Sequence, residues 1–208
     1  MSCIPNSVCK FCRRENMKLF LKGDRCFTDK CSFDRRPYPP GQHGQSRLKF
    51  SEFALQLREK QKTKRYYGVY EAQFRKYYDE ASRLRGVTGT ELLKLLETRL
   101  DNVVYSLGYA SSRREARVMV KHNHFMVNGV RCNIPSYNVK KGDLIEVRES
   151  SRTTNKVMGA IESVKKREIP IWLEADHGAF KGLVKDMPTR ENVTLPVEEN
   201  MIVEYYSR

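Results

Sequence analysis

The apolar positions between residues 99 and 148 change from a helical spacing to an alternating one. Leu100, Val103, Val104 and Leu107 lie three and four residues apart, which is the spacing of one helix face. Gly108 follows them, at the position where a left-handed residue commonly ends a helix. The pattern therefore predicts a helix that ends at Gly108.

A second helix is predicted to begin at Ser112. Ser112 and Glu115 have the spacing of a capping box, in which each side chain accepts a hydrogen bond from an otherwise unpaired backbone amide. One face of this helix is apolar, and another carries four cations: Arg113, Arg114, Arg117 and Lys121. A solvated charged face is the alternative interpretation, but a run of nearly one sign favours contact with a polyanion.

After the second helix the pattern becomes extended. Asn128-Gly129 supplies the two positive φ values that a type I′ turn needs, which predicts a hairpin over residues 125–131. Another turn at residues 140–143 precedes a short strand over residues 144–147. Two helices packed on a small antiparallel sheet form an α+β arrangement.

Helices are also predicted on both sides of this region. The predicted ranges are 51–67, 69–84, 90–97, 156–166 and 198–206. Trp172 and Leu173 are predicted to be buried, and residues 181–184 to form a strand. Three tyrosine pairs are more consistent with packing than with base stacking, because aromatic residues at helical spacing usually fill a core.

The chain has 208 residues and a formal charge of +14, and its basic residues are concentrated at one end. Residues 1–65 hold 16 basic and 6 acidic side chains, a net charge of +10, whereas residues 168–208 hold 4 and 8, a net charge of −4. This excess favours nucleic acid over a membrane surface as the partner. No apolar run approaches the about 20 residues of a membrane span. No signal peptide is recognisable either, so we expect a cytoplasmic location.

Four cysteines lie close together near the N-terminus: Cys9, Cys12, Cys26 and Cys31, with the spacing C-x2-C-x13-C-x4-C. Disulfides are uncommon in the reducing cytosol, and four thiolates so close in sequence suit a closed tetrahedral zinc site. An iron–sulfur cluster is less consistent with the many surrounding cations, and a redox motif lacks its usual βαβ setting. We therefore expect one structural zinc ion, on which the order of this segment depends.

The next segment, residues 35–44, contains three prolines and two glycines, which exclude a helix and favour an extended path. The segment could be a simple linker. However, its side chains also suit contact with an RNA backbone: Arg35, Arg36, Tyr38, Gln42 and His43. His43 has no carboxylate partner nearby in the sequence, which argues against a catalytic or metal-binding role.

Residues 99–148 resemble the RNA-binding domain of the uS4 family of small-subunit ribosomal proteins. The motifs that carry this resemblance are RLDNVVYSLGYASSRREAR, FMVNG and KKGDLIEVRE. Further motifs extend it over nearly the whole chain: CKFCRRE, RCFTDKC, RRPYPPGQHG, LQLREKQKTKRYYGVYEAQFRKYYDEA and TGTELLKLLETRLDNVVYSLG. Their length and order make the resemblance specific to bacterial-type members. Some members lack the cysteines, so the zinc site is expected because this chain has them.

The resemblance implies a division of the chain into three units. They are a zinc-binding, extended N-terminal segment (1–45), a helical domain (46–98) completed by the C-terminal helix (197–208), and the RNA-binding domain with its extension (99–196). It also implies a structural, non-enzymatic constituent of the small subunit that binds the 5′ domain of 16S rRNA early in 30S assembly. Such a protein lines the channel through which mRNA enters, beside uS5 and uS3, and influences translational accuracy. We do not expect an obligate homo-oligomer.

Recognition of RNA is expected to rest on a broad cationic surface, because duplex RNA is recognised mostly through its shape and backbone. Fourteen side chains are predicted to take part: Arg13, Arg14, Arg35, Arg36, Gln42, His43, Arg58, Lys60, Lys62, Lys64, Arg113, Arg114, Arg117 and Lys121.

Two other classes of protein are alternatives. Arg99-Leu100-Asp101 matches the tripeptide around the catalytic aspartate of pseudouridine synthases. It lies in a leucine-rich helical pattern, however, so we interpret Asp101 as a helix-surface carboxylate. No nucleophile–base pair or phosphate-binding glycine loop accompanies it. A zinc-finger DNA-binding regulator would usually show a zipper or a helix-turn-helix, and neither is recognisable.

Overall fold

The computed structural model describes residues 7–46, 49–164 and 168–208. Over these residues the chain forms ten α-helices, two 3₁₀ turns and one five-stranded sheet. The helix predicted over residues 156–166 is present as far as Val164, and its last two positions lie outside the described residues. The predicted α+β fold class is confirmed.

The helices are α1 (Cys9–Arg14), α2 (Ser32–Arg35), α3 (Glu52–Tyr66), α4 (Glu71–Ala81), α5 (Thr88–Glu97), α6 (Leu100–Ser106), α7 (Arg113–Lys121), α8 (Glu149–Arg152), α9 (Asn155–Val164) and α10 (Glu199–Ser207). The strands are β1 (Phe125–Val127), β2 (Val130–Arg131), β3 (Leu144–Val147), β4 (Leu173–Asp176) and β5 (Lys181–Val184). The 3₁₀ turns are Gly23–Phe27 and Arg190–Asn192.

One hydrophobic core joins the two ends of the chain. Helix α10 packs on α3 and α5, and α4 packs on α5. The buried side chains of this core include Leu19, Phe74, Leu92, Leu96 and Ile202. The predicted packing of the tyrosine pairs is confirmed for Tyr66, Tyr67 and Tyr77, which are buried in the same core. The C-terminal helix is thus part of the helical layer.

The second core lies between the sheet and the pair formed by α6 and α7. Neighbouring strands are antiparallel, in the order β2-β1-β3-β5-β4. The four apolar positions that predicted the first helix are all fully buried here, together with Phe125 and Ile145. Gly182 of β5 lies directly under Leu107, and a Cβ added there would come within 2.5 Å of its Cδ1. Close approach of α6 to the sheet therefore requires glycine at this position.

Local signals account for several element ends. Gly108 has a φ of +89° after α6, and Asn128 and Gly129 have φ values of +51° and +77° between β1 and β2, so both predicted turns are confirmed. Ser112 caps α7 by accepting from the Glu115 amide at 3.3 Å. The Glu115 carboxylate, however, accepts from the Ser111 amide at 2.9 Å rather than from Ser112. Of the two hydrogen bonds of the predicted capping box, the first is therefore present, and the second is made by the backbone amide of the preceding residue.

The two cores divide the described residues unevenly. The buried residues of the first core lie in two parts of the chain, from Cys12 to Leu96 and from Val193 to Ile202. The second draws its buried residues from between Leu100 and Val184. The exact domain bounds given above stay predictions.

Candidate nucleic-acid interface

Three charged side chains meet where the two cores join, and we call them the junction network: Arg99, Asp101 and Arg117. Asp101 is 2% exposed and accepts from Arg99 Nε at 3.0 Å and from its Nη2 at 2.8 Å. Arg117 donates to the same carboxylate and, across the junction, to the backbone carbonyls of Tyr67 and Gly68. The interpretation of Asp101 as a surface carboxylate is wrong, because the two arginines and the surrounding helices cover it.

Arg113 is also used inside the protein. Its Nε donates to Asn102 Oδ1 at 2.7 Å, and its guanidinium carbon lies 3.8 Å from the ring centroid of Tyr66 and 4.4 Å from that of Tyr105. Cation–π contacts of this kind stabilise a guanidinium that has lost most of its water. Two of the four cations on α7 thus face the protein rather than the solvent.

A second buried network joins α5 to α6. The hydroxyl of Tyr67 donates to Glu97 Oε1 at 2.6 Å, and Asn102 Nδ2 donates to Glu97 Oε2 at 2.5 Å. Burial and the neighbouring Glu97 carboxylate raise the pKa of Tyr67 well above its ordinary value, so its hydroxyl remains a donor. These contacts add to the junction network in fixing the two cores relative to each other.

Ion pairs connect the N-terminal segment to α3. The Glu15 carboxylate is completely covered and pairs with Arg58 at 3.4 Å and with Arg65. Burial raises the pKa of Glu15 above its ordinary value in spite of the two arginines, which act in the opposite direction. Arg58 was predicted to contact RNA, and in the free protein it neutralises Glu15.

The lysines of α3 have partners too. Lys60 is 3% exposed, and its Nζ lies 2.6 Å from Glu71 Oε1. Lys64 pairs with the other oxygen of Glu71 at 2.7 Å, and Lys62 pairs with Glu59 at 2.5 Å. A contact between any of these lysines and RNA stays a prediction, and it would compete with an ion pair that already exists.

The proline-rich segment lies against α1. Arg13 Nε donates to the carbonyl of Tyr38 at 2.9 Å, and its guanidinium lies 5.0 Å from the centroid of that ring. Arg14 donates to the carbonyl of Pro40 at 3.4 Å, whereas Arg35 donates to the carbonyl of Asp29 in the cysteine segment at 3.0 Å. Bonds to neutral carbonyls leave the arginine charges unneutralised, so these side chains still attract phosphates.

The structure therefore divides the predicted RNA ligands into two groups. The outer group is exposed: Arg14, Arg35, Arg36, Gln42, His43, Arg114 and Lys121. The inner group is partly or fully buried: Arg13, Arg58, Lys60, Lys62, Lys64, Arg113 and Arg117.

The sequence analysis missed further exposed cations on α4 and just after it: Arg75, Lys76, Arg83 and Arg85. A count of charges along this stretch could have found them. It also missed the side chain of Tyr70, which is 45% exposed and does not belong to a tyrosine pair. No local pattern marks an isolated aromatic residue as exposed.

The four N-terminal cysteines come together in space. Cys9 and Cys12 lie on α1, Cys26 lies in the first 3₁₀ turn, and Cys31 directly precedes α2. Burial raises the pKa of Cys12 to about 11, and the other three thiols act on it in the same direction. The donor set suits zinc, but no three Cys, His, Asp or Glu side chains within the described ranges are grouped so as to hold a metal ion. Ligation would require the thiols to converge further.

An α+β frame that carries many exposed cations is typical of the proteins that bind nucleic acid through their surface. In the described part of the chain, no helix has the length and apolar composition needed to cross a membrane. Comparison with known proteins gives the particular family.

Two family models match adjoining parts of the chain, the ribosomal protein S4/S9 N-terminal domain at residues 4–97 and the S4 domain at residues 98–145. The chain is 73% identical to small ribosomal subunit protein uS4A of Bdellovibrio bacteriovorus and 58% identical to uS4 of Desulforapulum autotrophicum, over 208 residues and the full length of both chains in each case. It is 57% identical over 200 residues to uS4 of Geobacter sulfurreducens, which is 96% of each chain. The chain belongs to the uS4 family of small ribosomal subunit proteins.

Membership of this family makes the chain a structural constituent of the small ribosomal subunit and not an enzyme. The small subunit of bacteria is cytoplasmic, and the family places the chain there. The alternatives of an RNA-modifying enzyme and a DNA-binding regulator are therefore set aside.

Proposed function

We propose that this protein binds the 5′ domain of 16S rRNA early in assembly of the small subunit. The observation that carries the proposal is the division of its cations into an inner and an outer group. Glu15, Glu71 and Asp101 each pair with at least one cation of the inner group and so offset part of its charge. The outer group and the exposed cations of α4 retain the charge that RNA phosphates would neutralise.

The fixed arrangement of the two cores supports this proposal. Duplex RNA is recognised mostly by shape and backbone contacts, so phosphate-binding cations must be held at defined positions. The junction network ties α7 to the connection between α3 and α4. Cations on both cores can therefore meet several RNA helices at once without a large loss of conformational entropy.

Competition between RNA and DNA tests the proposal. The full chain is titrated with a transcript of the 16S rRNA 5′ domain and with duplex DNA of equal length, between about 50 and 200 mM salt. We expect tighter binding to the transcript at every salt concentration, with an affinity that falls linearly on a double-logarithmic plot. Equal affinity, or a preference for DNA, would contradict the proposal.

We also propose that Cys9, Cys12, Cys26 and Cys31 hold one structural zinc ion. Three of the four side chains are buried in a short, polar segment, where ligation would contribute much of the folding free energy. The ion would connect α1, the first 3₁₀ turn and α2, and so hold the arginines of this segment in position.

Native mass spectrometry of protein purified without added metal, compared with the denatured mass, tests the zinc site. We expect one zinc ion on a monomeric chain, lost in a Cys26→Ser variant and retained in Cys132→Ser, the matched control outside the segment. A mass without metal in the unmodified protein, with all thiols reactive, would contradict the zinc site.

The same proposal includes contacts with the neighbouring proteins uS5 and uS3, a position along the channel through which mRNA enters, and an influence on translational accuracy. Residues 168–208 support protein contacts, because they are net acidic and expose apolar side chains such as Ile171 and Met187. Cross-linking within reconstituted small subunits should connect these residues to a neighbouring protein, and a misreading reporter should respond to their substitution. Cross-links to rRNA alone, with unchanged misreading, would contradict this part.

A further inference from the structure

A cavity of about 350 Å³ lies where the N-terminal segment, the connection between α3 and α4, and helix α7 meet. Its inner wall is apolar and aromatic and includes Phe11, Phe20 and Tyr66. Ligand-binding cavities in proteins usually have volumes of about 300 to 1,000 Å³ and mostly apolar walls. This cavity is therefore large enough for one flat aromatic ring system and too small for a folded element of another protein.

The rim of the cavity is cationic, and its charges differ in their availability. Lys64 and Arg117 also line the cavity, but each is held in an ion pair, Lys64 with Glu71 and Arg117 with Asp101. Arg114 lines the same cavity, is exposed, and makes no ion pair with any side chain in the described ranges. Arg65 and Arg113 line the cavity as well, but both are partly buried. Arg114 is thus the rim arginine that is exposed to a phosphate from the solvent.

Tyr70 adds an aromatic surface to this rim. It precedes α4 with an extended backbone, and its side chain is 45% exposed. Its ring stacks on no other aromatic side chain of the described residues, and its hydroxyl has no hydrogen-bond partner among them. The cavity therefore combines an apolar interior, an accessible aromatic ring and an unpaired guanidinium.

We infer that this cavity holds one unstacked nucleobase of the bound RNA. The base would stack on Tyr70 and cover the apolar wall, and the phosphate beside it would meet Arg114. Bases of single-stranded loops and helix junctions can leave the stack and lie on aromatic side chains, whereas bases within an A-form duplex cannot. The inference rests on the proposed binding of rRNA and adds a site for one nucleotide to a surface that otherwise contacts the backbone.

Two substitutions separate the base contact from the phosphate contact. Tyr70→Ala should weaken binding of the full chain to the 5′ domain transcript about 5- to 150-fold without changing the salt slope, because stacking is not an electrostatic contact. Tyr70→Phe, the matched control, should bind like the unmodified protein. Arg114→Ala should lower the salt slope by about one.

Chemical probing of the same complexes provides a second readout. One unpaired base should be protected from modification by the unmodified protein and by Tyr70→Phe, but not by Tyr70→Ala at saturating protein. Normal thermal unfolding of each variant shows that the fold is intact. If the unmodified protein binds the transcript but neither affinity nor protection depends on Tyr70, the inference is overturned while the RNA-binding proposal stands. If the unmodified protein does not prefer the transcript, the RNA-binding proposal itself fails.

Discussion

Arg117 on α7 donates two hydrogen bonds to one carboxylate oxygen of Asp101 on α6, from Nε at 2.8 Å and from Nη2 at 2.6 Å. The same guanidinium donates to backbone carbonyls of the connection between α3 and α4. A side chain that the sequence presents as a ligand for RNA thus connects the two cores of the free protein. The basic face of α7 serves two purposes, with Arg113 and Arg117 directed inward and Arg114 and Lys121 directed outward.

The junction network should be essential for stability. Asp101→Asn leaves the buried guanidinium of Arg99 and the partly buried one of Arg117 without their counterion, and breaking a buried ion pair in this way costs about 3 to 5 kcal/mol. The free energy of unfolding in urea should fall by that amount. Asp186→Asn, which removes an exposed carboxylate paired with Lys141 at 3.1 Å, is the control and should produce no measurable change. Equal effects of the two substitutions would show that Asp101 is not structurally important.

Glu71 should make stability depend on pH in the acidic range. Burial raises the pKa of its carboxyl, but hydrogen bonds from Lys60, Lys64 and Tyr206 outweigh burial and lower the pKa from its ordinary 4.5 to about 2. A lowered pKa contributes stability that is complete above about 4.5 and is lost as the pH falls towards 2.

Urea unfolding at several pH values checks this dependence. Glu71→Gln should be less stable than the unmodified protein at pH 5 and above. The difference between the two should shrink steadily as the pH falls towards 2, because the unmodified carboxyl becomes protonated. Glu162→Gln, a substitution of an exposed residue on α9, controls for the loss of one carboxylate. A difference between Glu71→Gln and the unmodified protein that is the same at all pH values would contradict the prediction.

Outer and inner cations should differ in the salt dependence of RNA binding. Arg36→Ala and Lys121→Ala each remove an exposed charge and should each lower the slope of log affinity against log salt by about one. Lys60→Met removes a buried charge that pairs with Glu71, so it should lower stability and leave the slope unchanged. Titrations with the 5′ domain transcript at several salt concentrations measure the slopes. A lower slope for Lys60→Met would contradict this prediction and would show that Lys60 contacts the RNA.

Two glycine substitutions should have opposite effects on stability. Gly182→Ala places a Cβ within 2.5 Å of Leu107, and overpacking of this kind costs about 1 to 3 kcal/mol. Gly159→Ala lies on α9 with no atom within 4 Å of the new Cβ, and should gain about 0.5 to 1 kcal/mol from the lower entropy of the unfolded chain. Unfolding in urea compares both with the unmodified protein. A stabilising Gly182→Ala would show that the sheet can move away from α6.

Short-range patterns in the sequence were sufficient for the longer helices, the hairpin and the fold class, but they did not predict the short elements α1, α2, α8 and β4. The positions of Gly108 and Asn128-Gly129 predicted turns that the structure contains, because a positive φ is a property of one or two residues. The spacing of Leu100, Val103 and Leu107 predicted a buried face, because residues three and four positions apart lie on the same side of a helix. The cysteine pattern predicts a zinc site, and whether the metal binds is a question for mass spectrometry.

The assignment of each cation to the interior or to the surface was decided by the tertiary structure. Lys60 and Glu71 are close in sequence, but Arg117 lies 49 residues from Gly68, Arg65 lies 50 residues from Glu15, and neither pairing follows a periodic pattern. A guanidinium has the same charge in the sequence whether a carboxylate or a phosphate will neutralise it. Only folding brings Asp101 within hydrogen-bonding distance of Arg117 and leaves Arg114, three residues earlier, facing the solvent.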